Sequence, residues 1–181
     1  MADVGVRPAR RADAGAVADI QVRAWRQGYA ELLPAPVLER VTSPEARDAW
    51  RERWTQAVVA PPSLRHHLLV AVASDLVVGF AAYGPAEDGD LDAGTTAELL
   101  TLLVDPIHAR EGHGSRLLSA TVDLLREDGV HTLVTWAFEA DDVLRRFLGT
   151  AGWAPDGTAR DLDMGEPVRQ IRLHTDITPE A

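Results

Sequence analysis

Residues 102–118 read LLVDPIHAREGHGSRLL and carry the clearest structural signal in the chain. An apolar run ends at Asp105-Pro106, a short loop follows, and Gly112-x-Gly114 opens a stretch with helical periodicity. Glycines at such a turn let a ligand approach the backbone, and the first N–H groups of a helix have no partner within it. Together with the helix dipole, these donors suit an anion such as a pyrophosphate. The stretch therefore predicts a buried strand, an anion-binding turn and a long helix.

Two familiar phosphate-binding motifs do not fit this turn. A dinucleotide fingerprint needs a third glycine at position 117, where the chain has Leu117, and it lies near the start of its domain. A P-loop needs a lysine after the second glycine, and the chain contains no lysine. Two readings of the turn remain open from the residues alone. Either it binds an anion, or its glycines serve only the geometry of a strand-to-helix connection.

The rest of the chain predicts one domain, residues 1–181, with the element order β-α-α-β-β-β-α-β-α-β-β. Period-two and continuous apolar runs predict strands over residues 4–7, 66–73, 76–83, 98–104, 131–138, 159–164 and 168–175. Capping residues and period-3.6 stripes predict helices that start at Asp13, Ser43-Pro44, the glycine turn and Asp141. Residues 28–36, with two prolines, are predicted to be a connector. Antiparallel strands followed by two βα units predict a mixed sheet flanked by helices.

The composition bounds the class of protein. Apolar residues make up 46% and charged residues 25% of the 181 residues, which is typical of a globular protein. No apolar run approaches the roughly 20 residues that span a bilayer, and no secretory signal is evident. We therefore expect a cytoplasmic protein that is not bound to a membrane.

Charge and missing residue types exclude several functions. The net charge of −10 argues against nucleic acid as a partner, because phosphates require basic surfaces. The same charge suits a cationic amine, although it serves solubility equally well. The absence of cysteine and lysine removes a thiolate nucleophile and a Schiff-base mechanism. The six histidines show no metal-ligand spacing, so no metal is expected.

The residues around the glycine turn resemble a known family. The pattern Glu98-Leu-x-x-Leu-x-Val104-x-Pro106, followed by Gly112-x-Gly114, is similar to the central motif of the GNAT superfamily of acyl-CoA N-acyltransferases. Further similarity lies in the opening residues 6–14, the exit of the first helix at 25–34, the hairpin at 70–80 and the last helix at 147–153. The resemblance covers nearly the whole chain in the order of the family.

This resemblance implies a fold, a cofactor and a binding site. The fold would be α/β (α+β), with a mixed, mostly antiparallel sheet flanked by helices and central parallel strands that splay apart. The pantetheine of acetyl-CoA would lie in the splay, against the backbone of Leu102, Leu103 and Val104. Its pyrophosphate would bind the backbone N–H groups of residues Arg110, Glu111, Gly112, His113, Gly114 and Ser115. The chain departs from the family pattern at Ala109, where arginine or glutamine is usual.

Acetylation of an amine requires a base, because an ammonium group has no lone pair. Glu98 begins the strand before the glycine turn, and regular alternation would place it on the same side as Leu100, Leu102 and Val104. It matches the position of the general-base glutamate in several members of the family. The alternative is a glutamate that faces water where the strand begins.

The other candidate residues follow from the same resemblance. The tyrosine that often protonates the thiolate is replaced by Leu148, and the chain has only Tyr29 and Tyr83. These tyrosines and Trp25 are expected to shape the pocket for a small-molecule or peptide amine. Asp141 lies where a cofactor contact is common, although helix capping explains it as well. A homodimer is possible, and a non-catalytic acyl-CoA-binding module is the alternative to an enzyme.

Overall fold

The computed structural model describes residues 3–180. The helices are α1 Ala14–Gly28, α2 Ala35–Thr42, α3 Pro44–Val59, α4 His113–Glu127 and α5 Asp142–Thr150. The strands are β1 Val4–Pro8, β2 His67–Ala73, β3 Leu76–Pro85, β4 Thr96–Val104, β5 Thr132–Phe138, β6 Ala154–Asp163 and β7 Pro167–Asp176.

The seven strands form one sheet in the order β1-β2-β3-β4-β5-β7-β6. The β4–β5 pair is parallel and the other neighbours are antiparallel, as the predicted mixed sheet requires. Helices α4 and α5 cover one face, where Leu117 and Leu148 are fully buried with Leu133. Helices α1 and α3 cover the other, where Ile20 packs with Phe80. We refer to these as the α4 face and the α1 face.

The central parallel strands part after a short stretch of pairing. Residues Thr96–Glu98 pair with Thr132–Val134, but β4 continues to Val104 without β5 beside it. At the point of separation, the Thr135 hydroxyl donates a hydrogen bond of 2.7 Å to the Leu99 carbonyl. The predicted splay is therefore confirmed, and one edge of β4 lacks a partner strand over its second half.

A β-bulge in β4 changes the face on which Glu98 lies. Across β3, Thr101 pairs with Ala82, but Leu99 pairs with the next residue, Tyr83, so Leu100 is an extra residue in β4. Ala97 and Leu99 belong to the core of the α4 face, and Glu98 between them therefore faces α1.

The expectation that Glu98 shares a face with Leu102 and Val104 is wrong. Both of these side chains pack on the α4 face. The physical reason is the extra residue, because an insertion of one position reverses the alternation of every side chain beyond it.

Helix α2 was not predicted. Pro34 precedes its first residue and Pro36 lies in its first turn. Proline is tolerated there because the first helical N–H groups have no intrahelical partner. The two prolines that predicted a connector therefore mark a helix start. The helix ends at Thr42. The hydroxyl of the next residue, Ser43, accepts a 3.1 Å hydrogen bond from Ala46 N–H and so caps the start of α3 as predicted.

Asp13 precedes α1 as predicted, but its side chain does not cap that helix. It accepts hydrogen bonds from the Arg7 guanidinium at 2.7 and 3.0 Å and from Arg10 N–H at 2.7 Å. The aspartate therefore ties the end of β1 to the short 3-10 turn Arg11–Asp13 that leads into α1.

Candidate active site

The glycine turn leads directly into α4. Gly112 is the residue before the helix and has φ of 82°, a left-handed conformation that favours glycine. The N–H groups of His113, Gly114 and Ser115 open the helix and have no intrahelical acceptor. In the described part of the chain, no side chain accepts a hydrogen bond from them. Three donors at the positive end of a 15-residue helix form a site suited to an anion.

The second glycine of the turn lies close to two neighbouring elements. A β-carbon added at Gly114 would lie 3.4 Å from Phe147 Cζ and 3.8 Å from Val104 Cγ2. The start of α4 is thus wedged between the end of β4 and α5. Arg110 has φ of 64°, which is unusual for a residue with a side chain, and it is exposed at the same turn.

Arg116 was missed by the sequence analysis, although it lies at the same turn. Its guanidinium donates to the Glu111 carbonyl at 3.0 Å, and it would lie next to a side chain at Gly112. The residue is exposed, so this cation is available beside the anion site. Because residues four apart lie on the same side of a helix, the position of Arg116 relative to Gly112 could have revealed it.

Three side chains of the turn lie close together in a way that their sequence spacing did not suggest. The ligand atoms of His108, Glu111 and His113 are within 4.8 Å of one another. Glu111 Oε2 lies 3.3 Å from His108 Nδ1 and 3.2 Å from His113 Nε2. Arg116 approaches the other nitrogen of His113 at 3.4 Å, which favours a proton on Nε2 directed at Glu111. We interpret the group as a hydrogen-bonded brace of the turn, and the absence of a metal stays a prediction.

Glu98 lies at the point where β4 and β5 separate. In the described part of the chain, no group hydrogen-bonds to its carboxylate. Burial, followed by the charge of Asp88, raises the pKa of Glu98 above that of an ordinary glutamate, whereas Arg160 opposes the shift. A half-buried carboxylate with a raised pKa and free oxygens has the properties of a general base.

A glycine beside Glu98 leaves space for a histidine ring. Gly84 is the cross-strand partner of Glu98, and a β-carbon on Gly84 would clash with the His66 ring at 2.6 Å. His66 Nδ1 is hydrogen-bonded to the Ser63 hydroxyl at 2.8 Å. The ring therefore covers the strand next to the base, a placement that the sequence did not predict.

The acidic loop before β4 is partly buried by an ion-pair cluster. Arg172, of which the side chain is 4% exposed, binds Asp88 at 3.0 Å, Asp156 at 2.6 Å and Asp90 at 2.5 Å. Two acids of the loop, Asp88 and Asp90, are therefore held by ion pairs to Arg172 although they keep contact with water. The physical reason is that β7 places a buried guanidinium under the loop, where it needs negative partners.

Aromatic residues form a wall on the α1 face. Tyr29 stacks on Trp25 at 5.9 Å and meets Phe138, at the end of β5, edge to face at 5.2 Å. Trp50 of α3 meets Trp25 at 5.2 Å. Burial, followed by the charge of Asp141, raises the pKa of Tyr29 to about 12. The structure thus brings Trp25 and Tyr29 together at the open end of the splay, on the same face as Glu98.

Tyr83 lies elsewhere. It is 1% exposed, pairs with Leu99 on the α4 face and stacks on His67 at 5.1 Å. Burial, followed by the charge of Asp128, raises the pKa of Tyr83 to about 12. This placement, on the opposite face from Glu98, does not support the substrate-binding role predicted for Tyr83.

Two residues of the last βα unit have defined structural roles. Asp141 Oδ1 accepts a 3.1 Å hydrogen bond from Leu144 N–H and so caps α5. Leu148 is fully buried in the core of the α4 face.

Two cavities of about 350 and 370 Å³ lie against α5 and against the end of α1, and neither is lined by Glu98.

The fold agrees with comparisons to known proteins. Residues 22–153 match the model of the acetyltransferase (GNAT) family. This match covers well over half of the chain, so the protein belongs to that family. Among the described residues, no helix has both the length and the apolar character needed to cross a membrane.

Individual relatives support the same assignment. An uncharacterized N-acetyltransferase of Bacillus subtilis (strain 168), YuaI, is 25% identical over 158 residues, which are 87% of this chain and 83% of the relative. The L-amino acid N-acyltransferase MnaT of Escherichia coli (strain K12) is 29% identical over 132 residues, 72% and 68% of the two chains.

A solved structure shows the same fold. The PaiA N-acetyltransferase of Thermoplasma acidophilum, in complex with coenzyme A, superposes with a TM-score of 0.76 at 18% identity over 96% of this chain and 99% of the other. Family membership makes the protein an acetyl-CoA-dependent acyltransferase, and the non-catalytic module is set aside.

Proposed function

We propose that the protein transfers the acetyl group of acetyl-CoA to a primary amine of a small molecule or a peptide N-terminus, with Glu98 as the general base. The observation that carries this proposal is the position of Glu98. Its free, half-buried carboxylate lies where β4 and β5 part, and its pKa is raised by burial. The name of the E. coli relative, an L-amino acid N-acyltransferase, supports a small amine as acceptor.

The cofactor would enter from the edge of β4 that has no partner strand. Its pantetheine would pair with the backbone of Leu102–Val104, which continues past the last β4–β5 pair. Its pyrophosphate would accept from the N–H groups that open α4, with the turn residues 110–115 around it. Asp141, at the end of β5, borders the same gap while it caps α5.

The bulge in β4 separates the two substrates. It directs Glu98 towards the α1 face, whereas Val104 and the start of α4 lie on the α4 face. The acceptor would therefore approach the thioester from the α1 face, along the wall formed by Trp25 and Tyr29.

The chemistry removes two protons from an ammonium group. Glu98, directly or through water, accepts the first, and the neutral nitrogen then attacks the acetyl carbonyl carbon. The C–S bond breaks, and the second proton passes from nitrogen to water or to the leaving thiolate. Leu148 is fully buried and cannot donate a proton, so the coenzyme A thiolate leaves unaided or takes a proton from water. A thiol pKa of about 8.5 makes this departure feasible near neutral pH. We also propose that the reaction takes place in the cytoplasm of a bacterial cell, which the bacterial origin of the two relatives supports.

The test is the Glu98→Gln substitution. Removal of a general base should lower kcat by about 10² to 10⁴ while the affinity for acetyl-CoA stays nearly unchanged. Glu87→Gln, which removes a nearby exposed carboxylate of the loop, is the matched control and should retain activity. A kcat of Glu98→Gln within about threefold of the wild type on a good acceptor would remove Glu98 from the mechanism.

A further inference from the structure

Arg160 is an unpaired cation in an acidic part of the α1 face. Within residues 3–180, its guanidinium forms no ion pair with a carboxylate, although the surrounding loop contains Glu87 and Asp88. Its Nε donates a 2.8 Å hydrogen bond to Gln170 Oε1, and its Cζ lies 4.1 Å from the centre of the Trp136 ring. These two contacts orient the guanidinium. Arg160 is exposed, and its two terminal nitrogens have no hydrogen-bond acceptor in the described part of the chain.

The ring beneath Arg160 is itself held in place. Trp136 Nε1 donates to Asp88 Oδ2 at 3.0 Å, and the same oxygen accepts from the buried Arg172 at 3.0 Å. Gln170 is 9% exposed and therefore well ordered by its neighbours. Arg160 is thus held in place by the Trp136 ring and Gln170. A side chain that is already ordered loses little conformational entropy when it binds a ligand, as is expected of a binding group.

The guanidinium and the base lie on the same face of the sheet. Glu98 pairs with Val134, and Trp136 follows Val134 by two positions on the same side of β5. Arg160 is close enough to Glu98 that its charge lowers the pKa of that carboxyl. The start of α4 lies on the opposite face, so Arg160 is not directed at the cofactor pyrophosphate.

We propose that Arg160 binds a carboxylate of the acceptor, so that the acceptor is an amino acid and not a simple amine or a peptide N-terminus. The proposal rests on the acetyl transfer proposed above. A planar guanidinium with both terminal nitrogens free matches a carboxylate through two parallel hydrogen bonds. The amine of the same molecule would then face Glu98 and the thioester.

Carboxylate binding also assists the base. Free Arg160 opposes protonation of Glu98, and a bound carboxylate neutralises that effect. Glu98 therefore becomes a stronger proton acceptor when an acceptor of the right charge is present. Arg160 takes part in no bond change, since the N–C bond forms and the C–S bond breaks at the thioester and the proton passes to Glu98.

The experiment compares amino acids with their carboxamides. Glycine and the other standard amino acids in their L form are each assayed beside the amide for acetyl-CoA-dependent thiol release, and β-alanine and γ-aminobutyrate extend glycine to a length series. The wild type should favour the free acid of its best acceptor by about 10- to 100-fold in kcat/KM, the usual worth of a charged hydrogen-bonded pair. Arg160→Gln should raise KM for the acid by a similar factor and change KM for the amide by less than about threefold.

Matched variants separate binding from general charge effects. Arg169→Gln removes the same charge from an exposed arginine of β7 that pairs with Glu139 and Asp161, and it should retain the preference. Arg160→Lys keeps the positive charge but loses the two parallel N–H donors of the guanidinium. Its preference for the acid over the amide should lie between those of the wild type and Arg160→Gln. Calorimetric titration of the acid and the amide into the enzyme saturated with coenzyme A gives the same comparison without turnover.

The outcomes distinguish this inference from the proposed function. Acetylation of amides and carboxylate-free amines at least as fast as of the acids would overturn the role of Arg160 and leave the transferase intact. Equal losses for acid and amide in Arg160→Gln would overturn it as well. If acetyl-CoA bound and no amine were acetylated, the proposed function would fail. The role of Arg160 would then be tested by calorimetry alone: tighter binding of the acid than of the amide would support it, and equal binding would overturn it.

Discussion

At the scale of single residues, Glu98 illustrates a conflict between function and stability. Its carboxylate is half-buried and forms no hydrogen bond with any described residue. Burial disfavours its charged form and raises its pKa. A group whose pKa is raised on folding binds its proton more tightly in the native state. The free energy of unfolding therefore falls as pH rises through the interval between the unfolded pKa of about 4.3 and the raised native pKa.

The Glu98→Gln variant should therefore be more stable than the wild type at pH 7 and above. The gain should shrink as pH falls and vanish below about pH 3, where the carboxyl is protonated in both states. Thermal unfolding across this pH range measures the effect, with Glu87→Gln as the exposed control. A variant less stable than the wild type at pH 8 would show that Glu98 has stabilising partners in its charged state.

At the scale of secondary structure, the start of α4 combines three free N–H groups with tight packing. A β-carbon at Gly114 would be in van der Waals contact with Phe147 and Val104, so a longer side chain there would meet these residues next to the free N–H groups. Any ligand held there is bound mainly by backbone donors, which a side-chain substitution can block but not remove.

Gly114→Asp should nearly abolish the stabilisation of the protein by acetyl-CoA. The new carboxylate would bring a negative charge and added bulk into the turn and repel the pyrophosphate. Binding to the native state raises the melting temperature by mass action, so the shift with millimolar acetyl-CoA is the measurement. Gly149→Asp, in open space on α5, is the matched control and should keep the wild-type shift. An unchanged shift in Gly114→Asp would place the pyrophosphate elsewhere.

At the scale of the whole molecule, Arg172 connects three segments that are distant in the chain. It lies in β7 and binds Asp156 of β6 together with Asp88 and Asp90 of the loop before β4. Because the guanidinium is buried, each lost partner leaves charge without compensation. The cluster fixes the loop and the Trp136 ring beside Glu98, so it supports both stability and the shape of the acceptor side.

Arg172→Gln should lower the free energy of unfolding by about 3 kcal/mol at neutral pH. This is the low end for a broken buried pair, because Asp88 and Asp90 keep contact with water. Arg169→Gln, whose ion pairs are exposed, should change it by less than about 1 kcal/mol. Denaturant unfolding of both variants measures the two changes in the free energy of unfolding. Equal changes would show that the buried cluster stabilises the protein no more than exposed ion pairs do.

The pH dependence of the cluster has the opposite sign to that of Glu98. Burial raises the pKa of Asp156, but hydrogen bonds from Arg172 and Thr158 outweigh it, so the net pKa is lowered. A hydrogen bond from Arg172 lowers the pKa of Asp90 in the same direction. Stability from these groups is present above the unfolded pKa of about 3.9 and is lost as pH falls through the native values. The difference between the wild type and Arg172→Gln should therefore shrink below pH 4.

Features that depend on neighbouring residues could be predicted from the sequence. The strand that ends before Asp105, the glycine turn, the start of α4 and the capping of α5 by Asp141 all follow from local turn and capping chemistry. The splay and the family followed from the pattern of residues 98–118. Only α2 was missed among the helices, because prolines in a first turn look like prolines in a loop.

Features that depend on packing across the sheet required the tertiary structure. The bulge at Leu100 decides the face of Glu98, and one leucine among several carries no local sign of an extra residue. Arg160 and Arg172 approach Glu98 because β7 lies between β5 and β6, which places the last hairpin beside the splay. Strand order results from how the whole sheet buries its apolar faces, so residues far apart in the chain become neighbours only after folding.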